Sequence, residues 1–348
     1  KGGVMNMKNV SEKIELLKQR LETIKMKMNT MDIRAYYREL ANKTNPRMKP
    51  QHRKYFAKSI NEIDINRITP ALIFCETEEQ LSLFRSATSY WSIPVSEGFG
   101  RRIHLIVYDH GNHKIMGIVG FADPVIKLSV RDRFIGWNEE QRFNRLYNMM
   151  SAFILGAVPP YNMLMGGKLV ALLSGSRETV DYFKKKYSNT ETTIRKRKPV
   201  LELACIDTMG AFGQSAVYHG LKEWKFLGYT SGYSHFHITE DMWELIYDVS
   251  RELKLIDTDD IWDFKFSNRK MTLIAKLFDV LSINRSYLLT HQRAYYLRPF
   301  ASNYREFLLG QTDTVEYINR TASEYIQIWK QRWLPKAVQK LQNYPPLT

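Results

Sequence analysis

The stretch from residue 155 to residue 187 limits the possible folds most. It reads LGAVPPYNMLMGGKLVALLSGSRETVDYFKKKY: a short apolar run, two prolines, a loop with paired glycines, and an amphipathic pattern long enough for about five turns of helix. A strand that leads through a glycine loop into a helix is a common place for backbone amides to hold a phosphate. We therefore predict that Met165, Gly166, Gly167 and Lys168 bind the anionic part of a cofactor, although the same glycines can serve tight packing alone.

Strand and helix patterns alternate on both sides of this stretch. Before it come a strand (ALIFCE), a helix opened by Thr77, two strands joined by the turn HGNHK, and a helix (NEEQRFNRLYNMMSAF). After it come a strand (VLELACIDTM), a short helix (SAVYHGLKEW) and one or two strands (KFLGYTSGYSHFHI). This order resembles the GNAT acyltransferase fold, in which one strand splays from its neighbour and the next helix N-terminus receives the cofactor pyrophosphate. The resemblance implies an acyl-CoA-type ligand.

The two ends of the chain have helical periodicity instead. The segment VSEKIELLKQRLETIKMKM repeats apolar residues at a spacing close to 3.6, with Ser11 as the predicted N-cap, and helical patterns dominate again after Thr239. We predict an α/β fold with three regions. A helical N-terminal arm covers residues 1–69, a GNAT-like central mixed sheet covers residues 70–240, and a mostly helical C-terminal region covers residues 241–348.

The net charge indicates the class of partner. The chain has 51 Lys and Arg against 36 Asp and Glu, which gives a net charge of +15 and a pI near 9.6. Such a surplus attracts polyanions, so we predict that DNA is the partner; the alternative is a basic surface without one. The basic residues cluster, and aromatic residues interleave with several of them. The predicted nucleic-acid contacts are Arg101, Arg102, Lys184, Lys185, Lys186, Arg195, Lys196, Arg197, Lys198, Arg285, Arg293 and Arg298.

The cysteines and the apolar runs exclude several classes of protein. Cys75 and Cys205 both lie inside apolar runs, so the chain has neither a disulfide framework nor a four-cysteine zinc site. The first residues lack the pattern of a signal peptide, and the longest apolar stretch, around MMSAFILGAV, is too short to span a bilayer. We therefore expect a cytoplasmic protein with no membrane partner.

Several long blocks resemble a known family. YWSIPVSEGFGRRI, GIVGFADPV, RDRFIGWNEEQR, the glycine-loop stretch and LTHQRAYYLRPFASNYREFLLG are similar to successive blocks of the Druantia anti-phage protein DruA family, over about residues 81–310. The resemblance implies a role in defence against phage, an association with DNA and, beside it, other defence-system subunits. Two hypotheses for the GNAT-like core stay open: it modifies nucleobases, or it serves as a scaffold for nucleic-acid recognition. The block SAVYHGLKEWKFLGYTSG also resembles, more weakly, the GNAT-like DNA-modifying enzyme Mom.

One constellation suits transfer chemistry. Asp207 lies at the end of a predicted strand, and Ser215 and Tyr218 are three residues apart on the predicted short helix, hence on one face. GNAT enzymes can use a tyrosine at about this place to protonate the leaving thiolate, so the resemblance makes Tyr218 a general acid that works with Asp207 on the acceptor. The alternative is that Tyr218 is a packed core ring with a satisfied hydroxyl.

A second constellation suits metal-dependent cleavage of DNA. His235 and His237 point to one face of a predicted strand, which is the His-apolar-His motif of HUH nickases, and Tyr295 or Tyr296 can supply the nucleophile. An ordinary pair of histidines on an edge strand is the alternative. No complete metal site is predicted from the sequence.

Overall fold

The computed structural model describes residues 2–30, 33–95, 100–191, 196, 198–230, 238, 240–256, 267–284, 287 and 293–343. The chain divides into two compact units. One unit comprises Lys1–Glu39 and Ser231–Gln292, and the other comprises Leu40–Thr230 and Arg293–Thr348. The division into three regions expected from the sequence remains a prediction.

The described residues form twelve α-helices and seven strands. The helices are α1 (Gly2–Thr30), α2 (Ile33–Thr44), α3 (Glu78–Ala87), α4 (Ser129–Ile135), α5 (Glu139–Arg145), α6 (Gly166–Leu173), α7 (Arg177–Tyr187), α8 (Glu240–Glu252), α9 (Ser267–Val280), α10 (Tyr304–Leu308), α11 (Ala322–Arg332) and α12 (Leu334–Asn343). The strands are β1 (Pro70–Phe74), β2 (Arg102–Asp109), β3 (Lys114–Ala122), β4 (Met149–Ala157), β5 (Cys205–Met209), β6 (Lys225–Thr230) and β7 (Arg293–Pro299). Among these helices, none has the length and apolarity needed to cross a membrane.

The first unit is helical. Leu17 of α1, Trp243 of α8 and Phe278 of α9 belong to one buried apolar core. Helix α1 begins at Gly2, so the predicted N-cap at Ser11 is wrong. Ser11 is exposed, and its hydroxyl therefore stays in water within the helix.

The second unit contains a mixed sheet with the strand order β1-β2-β3-β4-β5-β7-β6. All neighbouring pairs are antiparallel except β4 and β5, which are parallel. The α/β class and the mixed sheet are therefore as predicted. Strand β7 was missed, because it lies in the region that the sequence analysis predicted to be mostly helical. Its run RAYYLRP has the aromatic enrichment of a strand, which is the signal that indicates it.

The parallel pair is short and stops before β4 ends. Met149 pairs with Cys205 at one end and Ala152 with Thr208 at the other, while β4 continues to Ala157 in register with β3. The last residues of β4 therefore pair with β3 along one edge, and the backbone groups along their other edge do not pair with β5.

The helix after β4 is interrupted, contrary to the single long helix expected from the sequence. Helix α6 ends at Leu173 and α7 begins at Arg177. Gly175 lies in the break, and a Cβ there would be only 2.4 Å from the guanidinium carbon of Arg298. The close approach of a buried arginine thus requires a glycine where the amphipathic pattern alone predicts continued helix.

Two other local predictions have different outcomes. Thr77 caps α3, as expected, and Gln80 completes a capping box that was not predicted. The predicted short helix SAVYHGLKEW is wrong, because residues 215–224 form turns instead. Lys168 of α6 holds these turns through hydrogen bonds to the carbonyl oxygens of Ala216 and His219. This long-range contact cannot be inferred from the local sequence.

Candidate functional site

A cleft of 430 Å³ lies where β4 continues beyond its pairing with β5. Its volume is within the range of small-molecule sites, about 300–1,000 Å³. Five segments line it: the end of β4, Asn162 after β4, the start of α6, the turn before Tyr218, and the residues that follow α3. The lining residues include Leu155, Gly156, Ala157, Met165, Gly167, Lys168, Ala216, Val217, Tyr90 and Trp91.

Of the four residues in the predicted cofactor loop, three line the cleft and one, Gly166, is packed against the backbone. Met165, Gly167 and Lys168 line the cleft, but the Met165 amide donates to the carbonyl oxygen of Tyr161 and the Lys168 amide donates to that of Met165 at 3.0 Å. A Cβ at Gly166 would lie 2.6 Å from the carbonyl oxygen of Tyr161, so this glycine permits tight packing. Cofactor binding by this loop stays a prediction.

Lys168 has a different role from the free cation that was predicted. Its ammonium group donates to the carbonyl oxygens of Ala216 at 2.9 Å and His219 at 2.6 Å, and it lies 4.4 Å from the centre of the Trp333 indole. Burial lowers the pKa of Lys168, and the nearby charge of Arg332 adds to this. Lys168 therefore fixes the turn that forms one wall of the cleft.

A second, smaller cavity of 170 Å³ adjoins the same turn. Ser215 and Tyr218 both line it, so the structure brings these two predicted site residues together. Burial raises the pKa of Tyr218, whose hydroxyl is hydrogen-bonded to Thr208. Ala216 and Val217, between them in sequence, line the cleft instead. One short segment therefore separates the two spaces.

Asp207 lies away from Tyr218. Its neighbour Thr208 points to the Tyr218 side of β5, and alternation along the strand sends Asp207 to the other face. There it is 2% exposed and accepts a hydrogen bond of 2.7 Å from the hydroxyl of Tyr295. Burial raises the pKa of the Asp207 carboxyl, an effect that the charge of Arg131 opposes. The structure does not bring Asp207 and Tyr218 into one site.

The comparisons with known proteins establish the family. The family model described as "Druantia protein DruA" matches residues 23–310. The chain belongs to this family. A relative, the Druantia protein DruA of Escherichia coli (strain UMEA 4076-1), is 35% identical over 297 residues, which cover 82% of this chain and 72% of the relative. No solved structure matches, and none of the comparisons supports the similarity to Mom.

Two of the predicted nucleic-acid contacts in this DruA-family chain are instead part of the interior, and the prediction is corrected for both. Arg298 is 1% exposed, and its guanidinium donates to the carbonyl oxygen of Leu172 at 2.7 Å. The Arg101 side chain is 7% exposed and ion-paired with Asp123 at 2.6 Å, and it covers the Tyr147 ring at 3.8 Å. Buried guanidinium groups that already hold acceptors leave no surface for a phosphate.

Three predicted contacts form the last turn of α7. Lys184 is ion-paired with Glu202 at 2.6 Å. Lys185 lies 3.7 Å from Glu76, but 77% of its side chain is exposed. Lys186 is also exposed, and partial burial of its ammonium group lowers its pKa. Lys185 and Lys186 are thus in reach of a ligand, whereas Lys184 first has to leave a carboxylate.

The other predicted contacts are scattered. Lys196 and Lys198 are exposed, and Arg102 donates to the carbonyl oxygen of Gly100 at 3.3 Å. Arg293 is the first residue of β7 and partly buried. Nucleic-acid binding by these residues stays a prediction. The remaining three lie outside the described residues: Arg195, Arg197 and Arg285.

The nickase constellation of this family member has no described metal site. His235 and His237 lie outside the described residues. Tyr295 and Tyr296 are on strand β7, where they are 0% and 4% exposed. Within the described part of the chain, no group of three or more His, Cys, Asp or Glu side chains could hold a metal ion.

Proposed function

We propose that this DruA-family chain is a DNA-binding component of Druantia anti-phage defence whose GNAT-like sheet holds an acyl-CoA-type ligand. The observation that carries the proposal is the end of the β4–β5 pairing at Ala152 and Thr208, with a cleft of 430 Å³ beyond it. The GNAT resemblance puts its cofactor at such a splay. Four antiparallel strands followed by a parallel neighbour are consistent with the same interpretation.

The groups around the cleft suit such a ligand. Leu155–Ala157 pair with β3 on one edge only, so an extended ligand chain can hydrogen-bond to the other edge as an added strand does. The N-terminal turn of α6 attracts phosphate through its dipole. Tyr90 and Trp91 add aromatic walls. An acyl-CoA-type ligand supplies an acyl group activated as a thioester.

Tyr218 and Ser215 are the residues of this proposal that act on the acceptor side. The phenol of Tyr218 is protonated at neutral pH and can donate a proton to a more basic leaving group as a general acid. Burial raises its pKa, so it is a weaker acid than an exposed tyrosine. Both residues line the cavity behind the wall of the cleft. Asp207 has no part in this step, because it lies on the opposite face of β5.

Calorimetry with acetyl-CoA tests the ligand. We expect the wild type to release or absorb heat on titration and to melt at a higher temperature with ligand, because binding to the folded state alone stabilises it. Ala216→Trp fills the cleft and should abolish both effects. Gln327→Trp, an equal change at an exposed position of α11, should bind as the wild type does. Absence of heat and of a melting shift in the wild type contradicts the cofactor proposal.

Binding to DNA at several salt concentrations tests the partner. The net charge of +15 supports this part of the proposal. Phosphate contacts release counterions, so log affinity should fall linearly with log salt. DNA binding without acetyl-CoA binding supports the hypothesis that the sheet is a recognition scaffold. No binding to single-stranded or duplex DNA in dilute buffer contradicts the proposed function.

A further inference from the structure

Four aromatic rings form a row from the small cavity to the edge of the sheet. The ring centres of Tyr218 and Tyr296 are 4.5 Å apart, those of Tyr296 and Phe226 5.6 Å, and those of Phe226 and Tyr229 5.3 Å. Tyr218 is 7% and Tyr296 4% exposed, whereas Phe226 is 41% and Tyr229 45% exposed. The row therefore begins in the interior and ends in solvent.

A bulge in β6 places the two exposed rings side by side. Residues three apart on a regular strand point to opposite faces. The register between β6 and β7 shifts between Phe226 and Gly228, and the extra residue returns Tyr229 to the Phe226 face. Gly228 has φ +127, a backbone conformation that side-chain-bearing residues rarely adopt. The exposed pair is thus built into the backbone of the outermost strand.

Two exposed lysines lie close in sequence to the exposed rings, although Lys225 precedes Phe226 on β6 and its side chain points to the opposite face of this edge strand. Lys222 and Lys225 are both exposed, and the ammonium group of Lys225 is 3.5 Å from the hydroxyl of Tyr304, a weak contact that a stronger acceptor can replace. Neither lysine forms an ion pair within the part of the chain that the structure describes. A single nucleic-acid strand that crosses this edge of the sheet can stack its bases on the rings and reach these lysines with its phosphates.

The cavity at the inner end of the row limits what can enter. At 170 Å³ it is well below the lower limit of about 300 Å³ for a drug-sized ligand, so only a group about as large as one base fits. Gln214, Ser215 and His219 line it together with the rings, and their polar groups can hydrogen-bond to the edge of a base.

We propose that the row from Tyr229 to Tyr218 stacks the bases of single-stranded DNA and that one base enters the cavity beside Tyr218. This inference rests on the proposed DNA binding and adds the strand form and the contact surface. Bases within a duplex are already stacked and do not present their faces to protein rings. The chain therefore binds single strands through stacking and duplexes through charge alone.

Fluorescence anisotropy with a labelled single strand and its duplex tests the surface. We expect Phe226→Ala and Tyr229→Ala each to weaken single-strand binding about tenfold, with little effect on the duplex. Their salt dependence should equal that of the wild type, because no cation is removed. Tyr229→Phe keeps the ring and should retain affinity. The control Ile318→Ala removes another apolar side chain, 62% exposed, and should bind as the wild type does.

A second measurement reports stacking directly. An oligonucleotide that contains 2-aminopurine should lose fluorescence on binding to the wild type and lose less on binding to Tyr229→Ala. Salt-dependent binding that is equal in the wild type and the ring variants overturns this inference and leaves the proposed function intact. A loss of affinity in Ile318→Ala as large as in Tyr229→Ala overturns it as well. Absence of binding in the wild type overturns both proposals.

Discussion

Asp207 and Thr208 are neighbours on β5, and their side chains point to opposite faces of the sheet. One face encloses its polar groups, and the other connects them to solvent. On the Asp207 face, the carboxyl, the Tyr295 hydroxyl and the Arg131 side chain are at most 2% exposed. On the Thr208 face, the contacts continue through Tyr218 to an edge where a ring is 45% exposed.

This contrast separates the structural polar residues of the chain from those that can meet a ligand. A buried carboxyl that accepts a hydrogen bond and has no connection to a cavity or to solvent stabilises one packing arrangement. A buried phenol that borders a cavity and connects to exposed rings can meet a ligand. Residue type alone does not separate Asp207 from Tyr218, whereas the connection of each group to solvent does.

The largest expected effect on stability is at Asp207, on the face of the sheet whose polar groups are enclosed; we call this the sealed face and the Thr208 face the open face. Asp207→Ala should lower the free energy of unfolding by about 3 kcal/mol, because it leaves the Tyr295 hydroxyl unpaired and opens a cavity. Thr208→Val, the change on the other face, removes the hydrogen bond to the Ala152 carbonyl and the one to the Tyr218 hydroxyl but keeps the side-chain volume, so it opens no cavity and should cost about 2 kcal/mol. Urea unfolding measures both. Equal losses contradict the contrast between the faces.

The second prediction concerns Arg298, a buried residue on the same face of the sheet as Thr208 and Tyr296. Arg298 lies on the Tyr296 side of β7 but is enclosed, so Arg298→Met should cost about 2 kcal/mol of unfolding free energy through lost charged hydrogen bonds. Its affinity for DNA should equal that of the wild type. Lys185→Met, an exposed cation on α7, should do the reverse and weaken DNA binding without loss of stability. A DNA-binding defect in folded Arg298→Met would show that this buried arginine does take part in DNA binding.

The contribution of Asp207 to the free energy of unfolding should depend on pH. Burial raises the pKa of Asp207 above its ordinary value of 3.8, so the folded chain keeps a proton that the unfolded chain loses. The stability that this group contributes is complete below the unfolded pKa and is lost as pH rises through the folded pKa. Asp207→Asn cannot lose that proton. In urea unfolding at a series of pH values above 3.8, the variant should gain stability relative to the wild type as pH rises; a constant difference contradicts the shift.

The smallest expected effect is at the open edge. Tyr229→Ala should change the free energy of unfolding by no more than about 0.5 kcal/mol, because the ring is 45% exposed and ends the row. Thermal unfolding without ligand measures this. A loss as large as that of Asp207→Ala indicates that the exposed rings support the fold rather than a ligand.

Much of the fold followed from local patterns. The N-cap at Thr77 and the turn between β2 and β3 depend on neighbouring residues, so both could be predicted from the sequence. Strand β7 was missed because its place between β5 and β6 depends on pairing with distant strands. The break at Gly175 depends on Arg298, more than a hundred residues away in sequence.

The site was predictable in its parts but not in its assembly. Ser215 and Tyr218 were grouped correctly, although turns rather than a helix bring them together. Asp207 was grouped with them because strand ends usually converge, and a difference of one residue in the alternation sends it to the other face. Trp91 and Phe226 were passed over, because an aromatic residue in an apolar run has the same pattern whether it packs inside or lines a surface.

The contacts of Lys168 couple the two spaces. One ammonium group on α6 holds the backbone of the turn whose residues border the cleft on one side and the cavity on the other. We therefore expect a molecule bound in the cleft and a group bound in the cavity to affect each other through this turn. By thermodynamic linkage, whatever factor the first occupant applies to the affinity of the second, the second applies to the first.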